Sequence, residues 1–286
     1  MKISIGIVGL PNVGKSLLFK ILTKQEVNVA NYPFATISPN IGVVATPDER
    51  LFEIAQVMHS KKILPAVLEF VDIAGLVAGA HQGKGLGNQF LAHIREVDAI
   101  IHLVRIFKDK EIVHYEGEVN PARDIEIIIN ELKTKDEQSR EKVNLLSLKP
   151  QLIVLNGEEK EVTEELINKI KSLGYPYEVI NLQKGLHKES LKKIFEAFCK
   201  LLELITFFTA NDNEARSWYV KKGTKIVSAV GVVHSDFEKK FIRAEVIKWD
   251  KLIKAGSWQV AKQKGWLKLE GKDYIVEDGD VIMVKI

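Results

Sequence analysis

The stretch Gly9-Leu10-Pro11-Asn12-Val13-Gly14-Lys15-Ser16 decides how this chain is read. It fits the pattern G-x-x-x-x-G-K-[ST]. Before it, Ile3 to Val8 is a β-rich run ending at glycine; after it, Ser16 to Thr23 continues as a helix. Strand, loop and helix in that order are the context a phosphate-binding loop needs, which an accidental glycine turn would lack. The glycines let the backbone curl so that successive N–H groups face phosphate oxygens. The helix adds its own free N–H groups and the positive end of its dipole. Lys15 is expected to reach the β- and γ-phosphates and the Ser16 hydroxyl to ligate Mg²⁺, with Asn12, Val13 and Gly14 lining the cradle.

Working outward, Val71-Asp72-Ile73-Ala74-Gly75 ends a second apolar run. An aspartate at a strand end can hold Mg²⁺, usually through water, and the Gly75 N–H can contact the γ-phosphate. Between the two motifs lies Asn31-Tyr-Pro-Phe-Ala-Thr36. Thr36 either completes the Mg²⁺ shell and senses the γ-phosphate, or simply begins a strand Ile37 to Val44; the flanking motifs favour the switch. Leu76 follows Gly75, and a leucine side chain cannot orient an attacking water, so hydrolysis is expected to be slow or to need another group. Gly79, Gly83, Gly85 and Gly87 follow, as a moving segment or plain loop turns would have them.

Buried strands are expected at Ala66 to Val71, Ala99 to Val104 and Leu152 to Leu155. Helices are expected at Asp48 to Val57, Gln89 to Glu96, Pro121 to Leu132, Thr163 to Leu173 and Lys188 to Glu203. Strands alternating with helices give an α/β fold with a mostly parallel sheet. Beyond about residue 205 the texture changes to short strand-like runs (Lys225 to Val227, Phe241 to Ile247, Tyr274 to Val276, Val281 to Ile286) separated by glycine turns. From Ile205 on there are 15 Lys and Arg against 11 Asp and Glu, whereas the rest has 26 against 27, and all four tryptophans fall in this part. The division is therefore set at 1–204, a nucleotide-binding domain, and 205–286, a small α+β domain. The chain has 286 residues and one cysteine, Cys199, which excludes an internal disulfide and agrees with a reducing, cytoplasmic location. It shows no cleavable leader and no apolar run of membrane-spanning length, so no membrane is expected as partner.

The strings GIVGLPNVGKS, NYPFATISPNIGVV, FVDIAGLV, GKGLGNQFLAHIRE, LKPQLIVLN and HSDFEKKFIRAEVI together resemble the YchF family, Obg-related ATPases that bind ribosomes. The resemblance spans nearly the whole chain and implies a GTPase-like domain followed by a TGS domain of β-grasp fold. Guanine-specific relatives use N-K-x-D; here the matching residues are Asn156-Gly157-Glu158-Glu159, without the lysine and with Glu159 as the acidic residue. This favours ATP over GTP, and the resemblance implies that Asn156 and the Gly157 backbone contact adenine. The other reading is an acidic turn that opens the next helix.

The resemblance also implies that His114 aids hydrolysis, where an ordinary surface histidine is the alternative, and that Asn12 binds a K⁺, where a loop asparagine bonding its own backbone is the alternative. Leu17 replaces the family's threonine, though its N–H still serves the α-phosphate. The family's long helical insertion after Ile129-Asn130-Glu131-Leu132 is reduced to about a dozen polar residues, Lys133 to Asn144, through natural economy or truncation. In the C-terminal part, Lys221, Lys222, Lys239, Lys240 and Arg243 beside the tryptophans suit RNA or ribosome contact, unless the tryptophans are simply core. Two readings of the whole follow, a slow ATP hydrolase and an RNA- or ribosome-binding adaptor with negligible turnover; a GTPase is the third.

Overall fold

The structure is a computed structural model that describes residues 3–23, 40–73, 94–138, 145–185 and 187–285. The chain begins with β1 (Ser4–Val8), the loop, α1 (Lys15–Thr23) and β2 (Ile41–Ala45). It then contributes α2 (Glu49–Val57) and β3 (Lys62–Leu64) to a second unit before returning through β4 (Val67–Asp72). There follow β5 (Ala99–Arg105), α3 (Pro121–Gln138), β6 (Gln151–Asn156), α4 (Glu164–Ser172), β7 (Tyr177–Ile180) and α5 (Lys188–Leu201). These elements, apart from the excursion over residues 45–67, make one compact unit of 2–44 and 68–202.

Its sheet has the order β2-β4-β1-β5-β6-β7, and the pairs β1–β4, β1–β5, β5–β6 and β6–β7 are parallel. Every residue of β5 and β6 is buried, as expected where helices cover both faces of a parallel sheet. The chain turns from β1 outward in both directions, to β4 and to β5, so a crevice opens at the carboxyl end of β1. The helix α3 runs six residues past the expected Leu132. Near its end the buried carboxylate of Asp136 accepts the backbone N–H groups of Leu146 and Ser147, both at 2.8 Å, and so pins the far side of the shortened connection.

The second unit joins 45–67 to 203–286, so the segment 45–67 goes with the C-terminal part rather than with the residues around it in sequence. It comprises α2, β3, β8 (Leu204–Ala210), β9 (Glu214–Lys221), α6 (Ile226–Val233), α7 (Ser235–Lys240), β10 (Arg243–Lys248), α8 (Trp249–Ala255), α9 (Trp258–Gln263), β11 (Lys268–Glu270) and β12 (Asp280–Lys285). The sheet order is β11-β10-β12-β8-β9-β3. A hairpin β8–β9 leads into helix, and the last strand lies parallel to the first at the centre, which is the β-grasp arrangement.

Two expectations are corrected here. Lys225 to Val227 does not form a strand: Ile226 opens α6, whose Ile226, Ala229 and Val230 fall on one buried face at helical spacing. Tyr274 to Val276 contributes only an isolated bridge between Ile275 and Lys225. The tryptophans are half-buried against the core: Trp249, Trp258 and Trp266 pack on one cluster and Trp218 on another, stacked on Phe207 at 6.5 Å. They are not a free stacking platform, whereas Lys221, Lys222, Lys239, Lys240 and Arg243 are exposed.

Candidate nucleotide site

The loop leaves β1 at Gly9, where a Cβ would lie 2.3 Å from the Leu103 carbonyl oxygen, so only glycine lets β1 run this close to β5. Gly14 has φ +105°, and a Cβ there would meet Asn156 Nδ2 at 3.0 Å and Leu182 Cδ1 at 3.1 Å. Between them Asn12 takes φ 62°, a left-handed conformation asparagine tolerates better than most residues. Lys15 folds back over the loop and donates to the Gly9 and Leu10 carbonyls at 3.0 and 2.8 Å. Burial pushes its pKa down, and the nearby Asp72 carboxylate pulls against that shift.

Ser16 Oγ donates to Asp72 Oδ2 at 3.3 Å, which joins the first turn of α1 to the end of β4. The two groups expected to hold Mg²⁺ therefore already meet. A hydroxyl and a carboxylate are the hard oxygen donors that this ion takes alongside phosphate and water. Leu17 is exposed on the first turn of α1, where an N–H has no partner within the helix. Thr36 and Gly75, together with Leu76 and the glycines that follow, lie outside the described residues.

The third wall comes from the end of β5. Arg105 is buried, and its guanidinium donates to the carbonyls of Phe107, Ile112 and Asp109 at 3.0, 3.0 and 3.1 Å. The loop so formed offers the Val113 carbonyl to Asn12 Nδ2 at 3.1 Å, so Asn12 bonds another loop's backbone rather than its own. His114 follows, and it is not a surface histidine: only 6% of it is exposed. Its Nε2 lies 2.9 Å from Asp124 Oδ2, and its Nδ1 accepts the Glu116 N–H at 3.2 Å, which fits a ring protonated at Nε2. Asp124, in the first turn of α3, has its pKa raised by burial, with His114 and Arg123 opposing. The sequence left a surface histidine open as the alternative because the partner, ten residues on, is seen only once α3 docks.

The fourth wall closes the opposite end. Asn156 is buried at the end of β6; its Nδ2 donates to the Val13 carbonyl at 2.9 Å and its Oδ1 accepts the Leu182 N–H at 3.1 Å. Both functions of its side chain thus join the phosphate loop to residues 181–185. The Gly157 N–H is taken by the Ile180 carbonyl at 2.8 Å. Glu159 is exposed in a single 3-10 turn, Glu159–Glu161. Glu158 bonds Lys184 and Lys160, which hold its carboxyl down at about 2.

Residues 181–185 were missed from sequence. The signal lay in their position just beyond a strand that pairs in parallel with β6, since ligands sit at the carboxyl ends of such strands.

Comparison with known proteins gives the family and the fold. Residues 4–157 match the family described as 50S ribosome-binding GTPase, and residues 204–286 match the YchF GTPase C-terminal family, described as a protein of unknown function (DUF933). The chain is 38% identical to the ribosome-binding ATPase YchF of Bacillus subtilis (strain 168), with 99% of this chain and 98% of that protein covered. It is 39% identical to the protein of the same name from Mycoplasma genitalium, at 99% of each. The Bacillus alignment runs to 360 positions against 286 residues here, leaving at least 74 positions of the relative without a counterpart, as a shortened insertion requires. Among solved structures, the Schizosaccharomyces pombe YchF GTPase is similar with a TM-score of 0.82 and 32% identity, over 99% of this chain and 98% of that one. The chain belongs to the YchF family, with a P-loop GTPase-type domain and the family's C-terminal domain.

Proposed function

We propose that this protein is a Mg²⁺-dependent nucleoside triphosphatase that prefers ATP to GTP and acts as a nucleotide switch on the ribosome. One observation carries the reading: Lys15, Ser16 and Asp72 converge at the carboxyl ends of β1 and β4, held by bonds that a phosphate can replace. Bound Mg²⁺, held by Ser16 and Asp72 with Thr36, would neutralise charge on the phosphate oxygens. Lys15 would exchange two carbonyls for the β- and γ-phosphates, and the Gly75 N–H would meet the γ-phosphate. The backbone from Asn12 to Leu17 supplies the remaining donors.

The preference for ATP draws support from the state of the donors around the base. Guanine presents an O6 acceptor, and adenine presents an N6 donor in its place. The N–H groups of Leu182, Gln183, Lys184 and Gly185 are all engaged, as are those of Gly157 and Glu158. A guanine would have to break one of these bonds, whereas adenine needs only an acceptor, for which Asn156, the Gly157 carbonyl and Glu159 are the candidates. Asn12 gives its Nδ2 to Val113 and keeps Oδ1 as the atom that a K⁺ would take.

The ribosome as partner follows from the names of the relatives and from the exposed lysines of the β-grasp unit. None of the described helices is long and apolar enough to cross a membrane, and the cytoplasm is the proposed location. Phosphate release by the purified protein in KCl and Mg²⁺, with Lys15→Ala as control, tests the reading; turnover no higher than the control's, with ATP still bound, would sink it. A second reading, a nucleotide-regulated adaptor with negligible turnover, draws on His114, whose ring nitrogens are both engaged. For that ring to serve hydrolysis one of its nitrogens must be freed, from Asp124 or from the Glu116 N–H.

A further inference from the structure

The geometry points to Arg105 as the positioning residue of the hydrolytic site. One buried guanidinium sets the shape of residues 106–114, and through that loop it sets both Asn12 in the phosphate loop and the seat of His114. The kinetic part of this inference rests on the hydrolase reading above; the structural part does not.

Arg105 is the last residue of β5, paired in the ladder with Asn156, so its backbone is fixed by the sheet core. Its planar fork reaches three carbonyls spread over six residues, Phe107, Asp109 and Ile112, and stacks on the Phe107 ring with its central carbon 4.5 Å from the ring centre. Five donors in a rigid plane can hold three carbonyls at once, which a lysine ammonium on a flexible stem cannot do in the same geometry. The next carbonyl along, that of Val113, is the one Asn12 binds, and His114 comes immediately after it. Ile106 anchors the start of the loop in the core and Asp124 holds His114 at its end, and between them Arg105 bonds three of the loop's carbonyls. The hydrogen bonds of Arg105 go to Phe107, Asp109 and Ile112 and not to the phosphate loop or His114, so it acts on both through the loop it holds.

The test is Arg105→Lys in the full-length protein. Turnover is expected to fall at least about 10-fold, with ATP affinity within about 3-fold, because the loop is displaced while Lys15 and Ser16 stay in place. Combined with His114→Ala, it should cost less than the product of the two separate losses, since both changes act on the His114 seat and only the Asn12 contact remains to be lost. Hydrogen exchange of the Glu116 amide, which is bonded to His114 Nδ1, should speed up at least about 10-fold in Arg105→Lys while β1 and β5 stay protected. Phe107→Leu, which leaves the three carbonyl bonds, should lose only about 2- to 5-fold of turnover through the missing stacking.

Unchanged exchange at Glu116 would overturn the proposal, as would losses that multiply in the His114→Ala background. If the unmutated protein shows no turnover, the hydrolase reading fails, and the exchange comparison alone then decides the role of Arg105.

Discussion

At the phosphate end of the site, Lys15 rests on two carbonyls and Ser16 on Asp72, and a triphosphate offers each of them a better partner. At the other end, Asn156 has both halves of its amide in use, and the 181–185 turn has its N–H groups bonded inward. The first region is written in residues whose bonds are exchangeable, and the second in residues whose bonds are already made. Affinity for phosphate thus comes from what the loop can release, and choice of base from what the second turn withholds. Gly14 is the point where the two meet, since a side chain there would run into Asn156 and Leu182.

The largest break in this comparison is Lys15→Ala. It removes the cation on the transferred phosphate and should reduce turnover about 10²- to 10³-fold, read as phosphate release under saturating ATP. A loss under about 10-fold would show that the exchangeable end does not carry the chemistry. Next is Gly14→Ala. The residue sits at φ +105°, and its new methyl group would press on Asn156 Nδ2. The expected cost is about 2 kcal/mol of stability, from backbone strain and displacement of the amide, together with weaker ATP binding. Thermal melting and titration of one preparation would show both losses, and a neutral result would separate the two ends.

The phosphate end was legible in sequence because it is local: eight consecutive residues, a strand before and a helix after, and an aspartate at the next strand end. The base end was half legible. Asn156 stands out in the sequence, but its partners Val13 and Leu182 are 143 and 26 residues away. Long-range pairing also hid the make-up of the second unit. Residues 62–64 pair with 214–216, so β3 extends a sheet whose other strands all come after residue 203. Composition near residue 205 marks where the main part of that unit begins and cannot show that an earlier segment joins it. The run Ile226-Val-Ser-Ala-Val-Gly-Val-Val is rich in β-branched residues and reads as strand by propensity. It is a helix because packing against the sheet outweighs propensity.

A pH effect sharpens what lies beneath the phosphate end. His102 on β5 pairs with Val8 at the root of the loop, is buried, and has no partner for Nδ1 among the described residues. Burial lowers its pKa to about 3. The ring is neutral in the folded protein from pH 7 down to about 3, whereas the unfolded chain takes up a proton below about 6.5. Its contribution is therefore fully present above pH 6.5 and fades as pH falls from there towards 3, at up to about 1.4 kcal/mol per pH unit. Denaturant unfolding between pH 6.5 and 5 should lose about 2 kcal/mol, and His102→Leu should flatten that slope. An equal slope in the variant would assign the loss to other groups.

The smallest expected effect bears directly on what the base end withholds. Asn181 Oδ1 accepts the N–H groups of Gln183 and Lys184 at 3.0 and 3.2 Å. The Lys184 N–H also lies 3.2 Å from the Asn181 backbone carbonyl, so Asn181→Ala frees mainly the Gln183 donor. That donor can then meet a guanine O6, while adenine, with an amino group in the same place, gains nothing from it. One neutral hydrogen bond is worth about 1 kcal/mol, so GTP affinity should rise about 5-fold relative to ATP. Titration calorimetry with both nucleotides in KCl and Mg²⁺ measures the ratio. A ratio that stays within about 2-fold of the parent's would mean that the bonded turn does not set the choice of base. Selectivity would then have to come from acceptors at Asn156 to Glu159, and an Asn156 side chain bonded on both sides could serve it only by giving up Val13 or Leu182.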